Sequence, residues 1–371
     1  MKMLIELHAL QSFPPSNLNR DDTGHPKEAL FGGVRRARIS SQAIKRAIRT
    51  SDEFKNTVGI PIGTRTKRLV PHVVQAVAHT GIEEEWANRQ AAAIVTELYA
   101  KMDVKSEKET AALLYISEEE IQSIVRFLSD AHAKDAEPDI QAFCKAQVKT
   151  LIQRTSAPDI AMFGRMLAQR PELNMEAACQ VAHAISTHEV SIPESDYYTA
   201  VDDLMPQGNR GAGMLGTTNF NSATYYGNIR INWEQLVTSL RGDSDLARQC
   251  VKALMLAFAL VVSSGKKSTF VNQHRPDFLL AVARPDNDGQ SLANAFEQPV
   301  RASNGSGYVK PSITALSEYW DQVEACYRLG TPAIAVLNPR GIDLPSKELV
   351  RAQVPNLPAW VEAMTALLGE A

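Results

Sequence analysis

Hydrophobic and polar positions divide the chain into strand-like ends and a helical middle. Met3 to Leu10 alternates and reads as a strand, halted at Phe13-Pro14-Pro15-Ser16 and followed by a polar loop, Asn17-Leu18-Asn19-Arg20-Asp21-Asp22. Near Ser40 the period changes. Ile44, Ala47 and Ile48 fall at i, i+3, i+4, which predicts a short amphipathic helix capped by Ser40 or Ser41. Thr66 to Glu189 reads as almost wholly helical. Within it, Ser117-x-x-Glu120 is a capping box that opens a segment with Ile121, Ile124, Val125 and Leu128 on one face. Glu83-Glu84-Glu85 starts another helix, where carboxylates meet the positive end of the dipole.

The pattern shifts again at Ser191. Pro193, Pro206, Gly208, Gly211, Gly213 and Gly216 lie between β-branched and aromatic flanks at Tyr197–Val201 and Thr217–Tyr225, predicting a long hairpin with a glycine-rich tip. Beyond it come a strand at Asn228 to Trp233, a helix at Leu246 to Ser263 and a strand at Phe278 to Ala283. A helix after Pro311-Ser312 and a strand at Ala333 to Leu337 complete the order. Reduced to its ends, the chain runs strand, helix, helical insertion, strand, helix, strand. That order fits an α+β fold with a split βαβ, ferredoxin-like sheet, an architecture shared by RNA-recognition modules. Enzymes use it too.

Composition narrows the class. The chain has 371 residues, 44% hydrophobic and 22% charged, enough for two or three ordinary globular cores. Its net charge is −3, so a nucleic-acid binder with this balance must segregate its basic residues. Cys144, Cys179, Cys250 and Cys326 lie far apart, which suits free buried thiols in a reducing cytoplasm. The opening residues read as a strand and not as a signal peptide. The longest apolar run, Ala253 to Val262, is too short to cross a bilayer.

Basic residues are concentrated in Phe31 to Arg49, FGGVRRARISSQAIKRAIR, which holds Arg35, Arg36, Arg38, Lys45, Arg46 and Arg49 and no acid. Gln42, Lys45, Arg46 and Arg49 fall opposite Ile44 and Ile48, so the helix presents either a solvated face or a row of cations for phosphates. Gly265-Lys266-Lys267-Ser268-Thr269 is not a phosphate-binding loop. Leu260 stands where the first glycine is required, and the segment ends a helix instead of opening one. Gly265 reads as the residue just past the helix end, and the two lysines suit either the dipole or phosphate. His183 and His188 have the wrong spacing for two zinc ligands on one helical face, and Asp202-Asp203 has no third carboxylate nearby for magnesium. Tyr197-Tyr198, at the hairpin root, suits strand packing or stacking on a base. No cofactor motif and no catalytic triad stand out.

Seven blocks in order resemble one family. They are LNRDD (Leu18 to Asp22), the Phe31 to Arg49 stretch, HAIxTH (His183 to His188), TAVDDL (Thr199 to Leu204), LGTxxF (Leu215 to Phe220), ANAFE (Ala293 to Glu297) and PSI (Pro311 to Ile313). They resemble the CasC backbone subunits of type I-E CRISPR Cascade surveillance complexes. The resemblance implies an RRM-like palm (residues 1–59, 182–190 and 227–371), a helical fingers insertion (60–181) and a β-hairpin thumb (191–226). It implies a non-catalytic subunit that polymerises with other copies of itself and other Cascade subunits along CRISPR guide RNA. The guide then pairs with a target DNA strand, and neither a cofactor nor a membrane is involved. Guide contact is carried onto Asn19, Arg20, Ser40, Gln42, Lys45, Arg46, Arg49, Lys266 and Lys267, and the wedge at a kinked base onto Arg165, Met166, Tyr198 and Thr199. Tyr198 replaces a Phe of the family pattern, and Val34 stands where a basic residue is expected. The competing readings are a metal-dependent ribonuclease of related fold using Asp202 or Asp203, and an α+β enzyme whose basic helix binds an anionic metabolite.

Overall fold

Leu4–Ser16 lies in the middle of the main sheet, and its residues from Leu4 to Leu10 are buried on both faces. The computed structural model describes residues 3–78, 81–191, 194–200, 214–285, 289–302, 305, 307–327 and 332–369. These form twelve α-helices and a nine-stranded sheet whose strands pair antiparallel, an α+β fold. From one edge to the other the strands are Ala333–Leu337, Phe278–Arg284, Leu4–Ser16, Met214–Asn232, Ala184–Ser186, Val34–Ile39 and Glu28–Phe31. Glu194–Ala200 and Cys179–Val181 pair elsewhere along Met214–Asn232.

Strand alternation divides the side chains between two layers. Ile5, Leu7 and Ala9, with Leu279, Ala281 and Ile229, pack on helices that include Ser41–Thr50, Trp233–Ser239, Ser244–Leu260 and Leu357–Thr365. Leu10, Phe278, Leu280 and Val282 pack on Val309–Tyr327 through Ile313, Leu316 and Trp320. A separate core draws on residues 69–173, where Val73, Ala91, Ile94, Leu98, Ile121 and Leu128 are buried together. The Ser117–Glu120 capping box and the helix start at Glu83 form as the sequence predicts.

Several boundaries differ. The first strand does not stop at its prolines but continues to Ser16, because Pro14 and Pro15 occupy an irregularity between Phe13 and Ser16 where ladder hydrogen bonds are not needed. The second hairpin arm and the strand expected at Asn228 are one strand, Met214–Asn232. The helical middle also contains the strand pairs Thr64–Thr66 with Leu114–Ile116 and Met102–Asp103 with Ser106–Thr110. His183 and His188 flank a strand, not a helix. The helix expected to reach Ser263 ends at Leu260, so Gly265 is not its terminating residue. Cys326 is exposed, whereas Cys144, Cys179 and Cys250 are buried free thiols. No helix among the described residues is long and apolar enough to cross a membrane.

Alternation also sends two polar residues inward. Arg284 links Glu6 (Nε to Oε2, 3.1 Å) to Glu324 and lies over the Trp320 ring. Burial still raises the Glu6 carboxyl above its usual range, against the pull of Arg284. The His8 Nδ1 pairs with the Tyr226 hydroxyl at 2.8 Å, and burial, with Arg284 and Arg230 nearby, lowers its pKa to about 3. The unfolded chain takes up a proton on His8 below about pH 6.5 while the folded chain stays neutral to about pH 3. His8 therefore stabilises the fold fully above pH 6.5 and loses that contribution as pH falls through this window. Glu6 acts in the opposite sense, so the readout is the difference between wild type and His8→Phe. That difference should shift by about 2 kcal/mol against the wild type between pH 7 and pH 5 in urea unfolding. Equal pH dependence in both proteins would show that His8 is protonated in the fold.

Candidate nucleic-acid interface

The basic helix, Ser41–Thr50, starts where three segments meet. Ser40 caps it by accepting from the Ala43 N–H at 3.3 Å, and its own N–H donates to Asn19 Oδ1 at 2.9 Å. The Ser41 N–H donates to His183 Nδ1 at 3.2 Å, with Arg38 Nη1 at 3.3 Å from the same atom. An acceptor nitrogen must be unprotonated, and burial together with Arg38 and Lys27 lowers the His183 pKa accordingly. Ser40 and Asn19 thus fix the helix start. Ile48 is buried beneath it, with Ile44 packed against the same core.

The cations of this stretch have different fates. Arg36 is fully buried and donates to the carbonyls of Phe31, Ser186, Phe296 and Glu297, tying the Gly32-Gly33 turn to the Ala293–Phe296 segment. A Cβ on Gly32 would fall 1.7 Å from the Glu297 oxygen, and φ there is +60°, so the close approach requires glycine. Arg35 pairs with Glu28. Arg49 reaches inward to the buried Asp159 at 3.3 Å and to the Gly63 carbonyl at 3.1 Å. Lys45 and Arg46 have no ion-pair partner among the described residues, and Gln42 and Arg46 are exposed.

Arg46 lines a polar cleft of about 590 Å³ with Asn19, Arg20, Asp21, Asp22, Ala43, Ala47, Thr50, Ser263, Ser264 and Gly265. The cleft joins three segments that are far apart in sequence. Gly265 makes this possible, because a Cβ there would stand 2.4 Å from the Asn17 oxygen and 2.3 Å from that of Leu18. Asn17, fully buried, donates to the Gly24 and Asn219 carbonyls and so joins the loop to the hairpin root. Lys266 Nζ donates to Thr218 Oγ1 at 2.9 Å, while Lys267 is exposed. Asp21 accepts from the Thr23 hydroxyl and from the Thr23 and His25 N–H groups, which holds its carboxyl below the usual range. It shapes the loop.

The four wedge residues separate into one support and three exposed groups. Arg165 is buried, paired with Glu120 at 2.8 Å, and Glu120 also accepts from Tyr99 and Ser117. Met166, next in sequence, is 81% exposed. Tyr198 is 49% exposed and lies opposite Gly216, where a Cβ would meet its ring at 2.4 Å. Thr199 is exposed opposite Leu215, itself exposed. Asp202 and Asp203, with Gly208, Gly211 and Gly213, lie outside the described residues. Sequence patterns missed Asn17, Thr218 and Asp159, since their partners are remote. The only available signals were the polar loop and a Pro-Asp pair at Pro158-Asp159.

Gly265→Ala should separate the cleft's two loops and destabilise the protein by about 1–3 kcal/mol. Gly369→Ala, at an open position, should stay within about 0.5 kcal/mol of wild type. Denaturant midpoints measure both, and a neutral Gly265→Ala would show that the loops do not depend on contact at this point.

Solved structures supply the comparison. A chain from a structure described as "CRISPR RNA-guided surveillance complex, pre-nicking" aligns with a TM-score of 0.85 at 26% identity, covering 99% of this chain and 100% of its own. A chain from a second "CRISPR RNA-guided surveillance complex" aligns with a TM-score of 0.74 at 24% identity over 98% and 99%, a likeness of fold. No curated protein sequence matches. The model of CT1975-like Cas proteins matches residues 5–363, and the chain belongs to that family.

Proposed function

We propose that this protein is a non-catalytic backbone subunit of a type I-E Cascade, binding CRISPR guide RNA and polymerising along it with further copies of itself and other subunits. The guide between contacts then pairs with the target DNA strand. The observation that carries this reading is the convergence of Arg20, Arg46 and Ser264-Gly265 around one polar cleft, with the exposed Lys267 two residues past Gly265, and with cations that have no ion-pair partner among the described residues. Such groups hold phosphate and sugar without reading bases, as a subunit that accepts any guide requires. Sequence is read by pairing. In this reading the sheet and its helices are the RRM-like palm, residues 60–181 the fingers and the 191–226 hairpin the thumb. Met166, Tyr198 and Thr199 supply the exposed surface for the displaced base, and Arg165 braces the segment that carries Met166.

The two flanks of the basic helix make separable predictions. Arg46→Ala should weaken binding equally for unrelated single-stranded RNAs and lower the slope of log K against log salt by roughly 0.7. Arg49→Ala should instead destabilise the fold by about 3–5 kcal/mol, because it leaves the Asp159 carboxylate buried without its cation. Unchanged affinity and slope in Arg46→Ala, Lys45→Ala and Arg20→Ala together would place the RNA elsewhere. Incubation with RNA and Mg²⁺ should leave the RNA intact. Cleavage abolished by Asp202→Ala or Asp203→Ala would replace this reading with a ribonuclease.

A further inference from the structure

Arg65 lies on the Thr64–Thr66 strand directly opposite Tyr115, and its guanidinium carbon is 4.4 Å from the centre of that ring. The guanidinium of Arg49, arriving from the basic helix, is 5.3 Å from the same ring. Beneath them Asp159, with no exposure, accepts from the Gly63 N–H at 2.7 Å, the Ile160 N–H at 3.1 Å, the Tyr115 hydroxyl and Arg49. Its charge is thus answered by Arg49, and its oxygens are filled by the chain. Tyr115 is fixed by that hydroxyl bond, and burial with the Asp159 charge raises its pKa so that it remains a phenol.

Arg65 is left over. It is exposed, and its guanidinium has neither a hydrogen bond nor an ion pair among the described residues. Lys67, two residues on, is exposed as well. A guanidinium stacked on an immobile ring has lost little further freedom to lose, and its N–H edge remains open to a planar or tetrahedral anion. Its position continues the cleft, since Arg46 and Arg49 are three residues apart on one helix, one at the cleft and the other at Tyr115. The Tyr115 carbonyl also faces Arg165 Nη1 at 3.5 Å, so Met166 and Arg65 project from one scaffold.

We infer that Arg65, held by Tyr115, is a phosphate-binding residue that extends the RNA track from the cleft onto the helical insertion. The inference rests on the guide-RNA reading above. Binding of the full chain to two unrelated single-stranded RNAs is measured across a salt series for wild type, Arg65→Gln, Arg65→Lys and Arg46→Ala, with a thermal melt of each. Arg65→Gln is expected to melt like wild type, to bind about fivefold more weakly at 0.1 M salt and to lose roughly 0.7 from the salt slope for both RNAs. Arg65→Lys keeps the charge without the stacked fork, so it should keep the slope and bind with intermediate affinity. Wild-type affinity and slope in Arg65→Gln, beside a clear loss in Arg46→Ala, would overturn this inference and leave the guide-RNA reading standing. Absence of salt-dependent RNA binding by the wild type would overturn both.

Discussion

The Leu4–Ser16 strand pairs along one side with residues 221–232, and its Leu4–Leu10 part pairs along the other with residues 278–284. The rest of the fold takes its place from that double pairing. From Leu4 to Leu10, neighbours on both edges and helices on both faces leave no position for a solvated side chain. Ile5, Leu7 and Ala9 meet the requirement with apolar groups, while Glu6 and His8 meet it with Arg284, Tyr226 and Asn228. Near its end, Ser16 pairs with Asn221, and Asn17 then ties the following loop to Asn219. The hairpin root and the cleft loop are therefore fixed by one ladder.

The basic stretch is better understood as two populations of cations. Arg36, Arg38 and Arg49 point to carbonyls, a histidine or a buried carboxylate, and they lock the Gly32-Gly33 turn, the strand edge and the helical insertion in place. Arg20, Lys45, Arg46 and Lys267 have no such partner among the described residues, and they give a protein of net charge −3 a local basic surface. The first population positions the second. Asp159 has the central place in this division, because it holds Arg49 inward and joins Gly63, Tyr115 and the basic helix at one carboxylate.

Two glycines bring distant blocks within contact distance. Gly32 sits against the Glu297 carbonyl and Gly265 against those of Asn17 and Leu18. A methyl group at either place would overlap backbone atoms that have no room to retreat, so these blocks of sequence are coupled through backbone contact, not through side-chain chemistry.

The sequence by itself determined whatever depends on neighbours along the chain. The helix at Ser41–Thr50, its cap narrowed to Ser40 or Ser41, the Ser117–Glu120 box and the strands at Phe278–Arg284 and Ala333–Leu337 follow from period and local hydrogen bonding, which a linear pattern records. The seven blocks also pointed to the Cas family to which the chain belongs. Tertiary structure decided where the pattern was interrupted or ambiguous. Pro14-Pro15 looks like a strand end until a bulge removes the need for their hydrogen bonds. Gly265 looks like a helix terminator until a loop from the other end of the chain lies against it. Six basic residues in one stretch look equivalent because charge is a property of the residue, whereas a partner such as Asp159 is supplied from more than a hundred positions away. Only the folded chain separates the cations it keeps for itself from those it leaves to solvent.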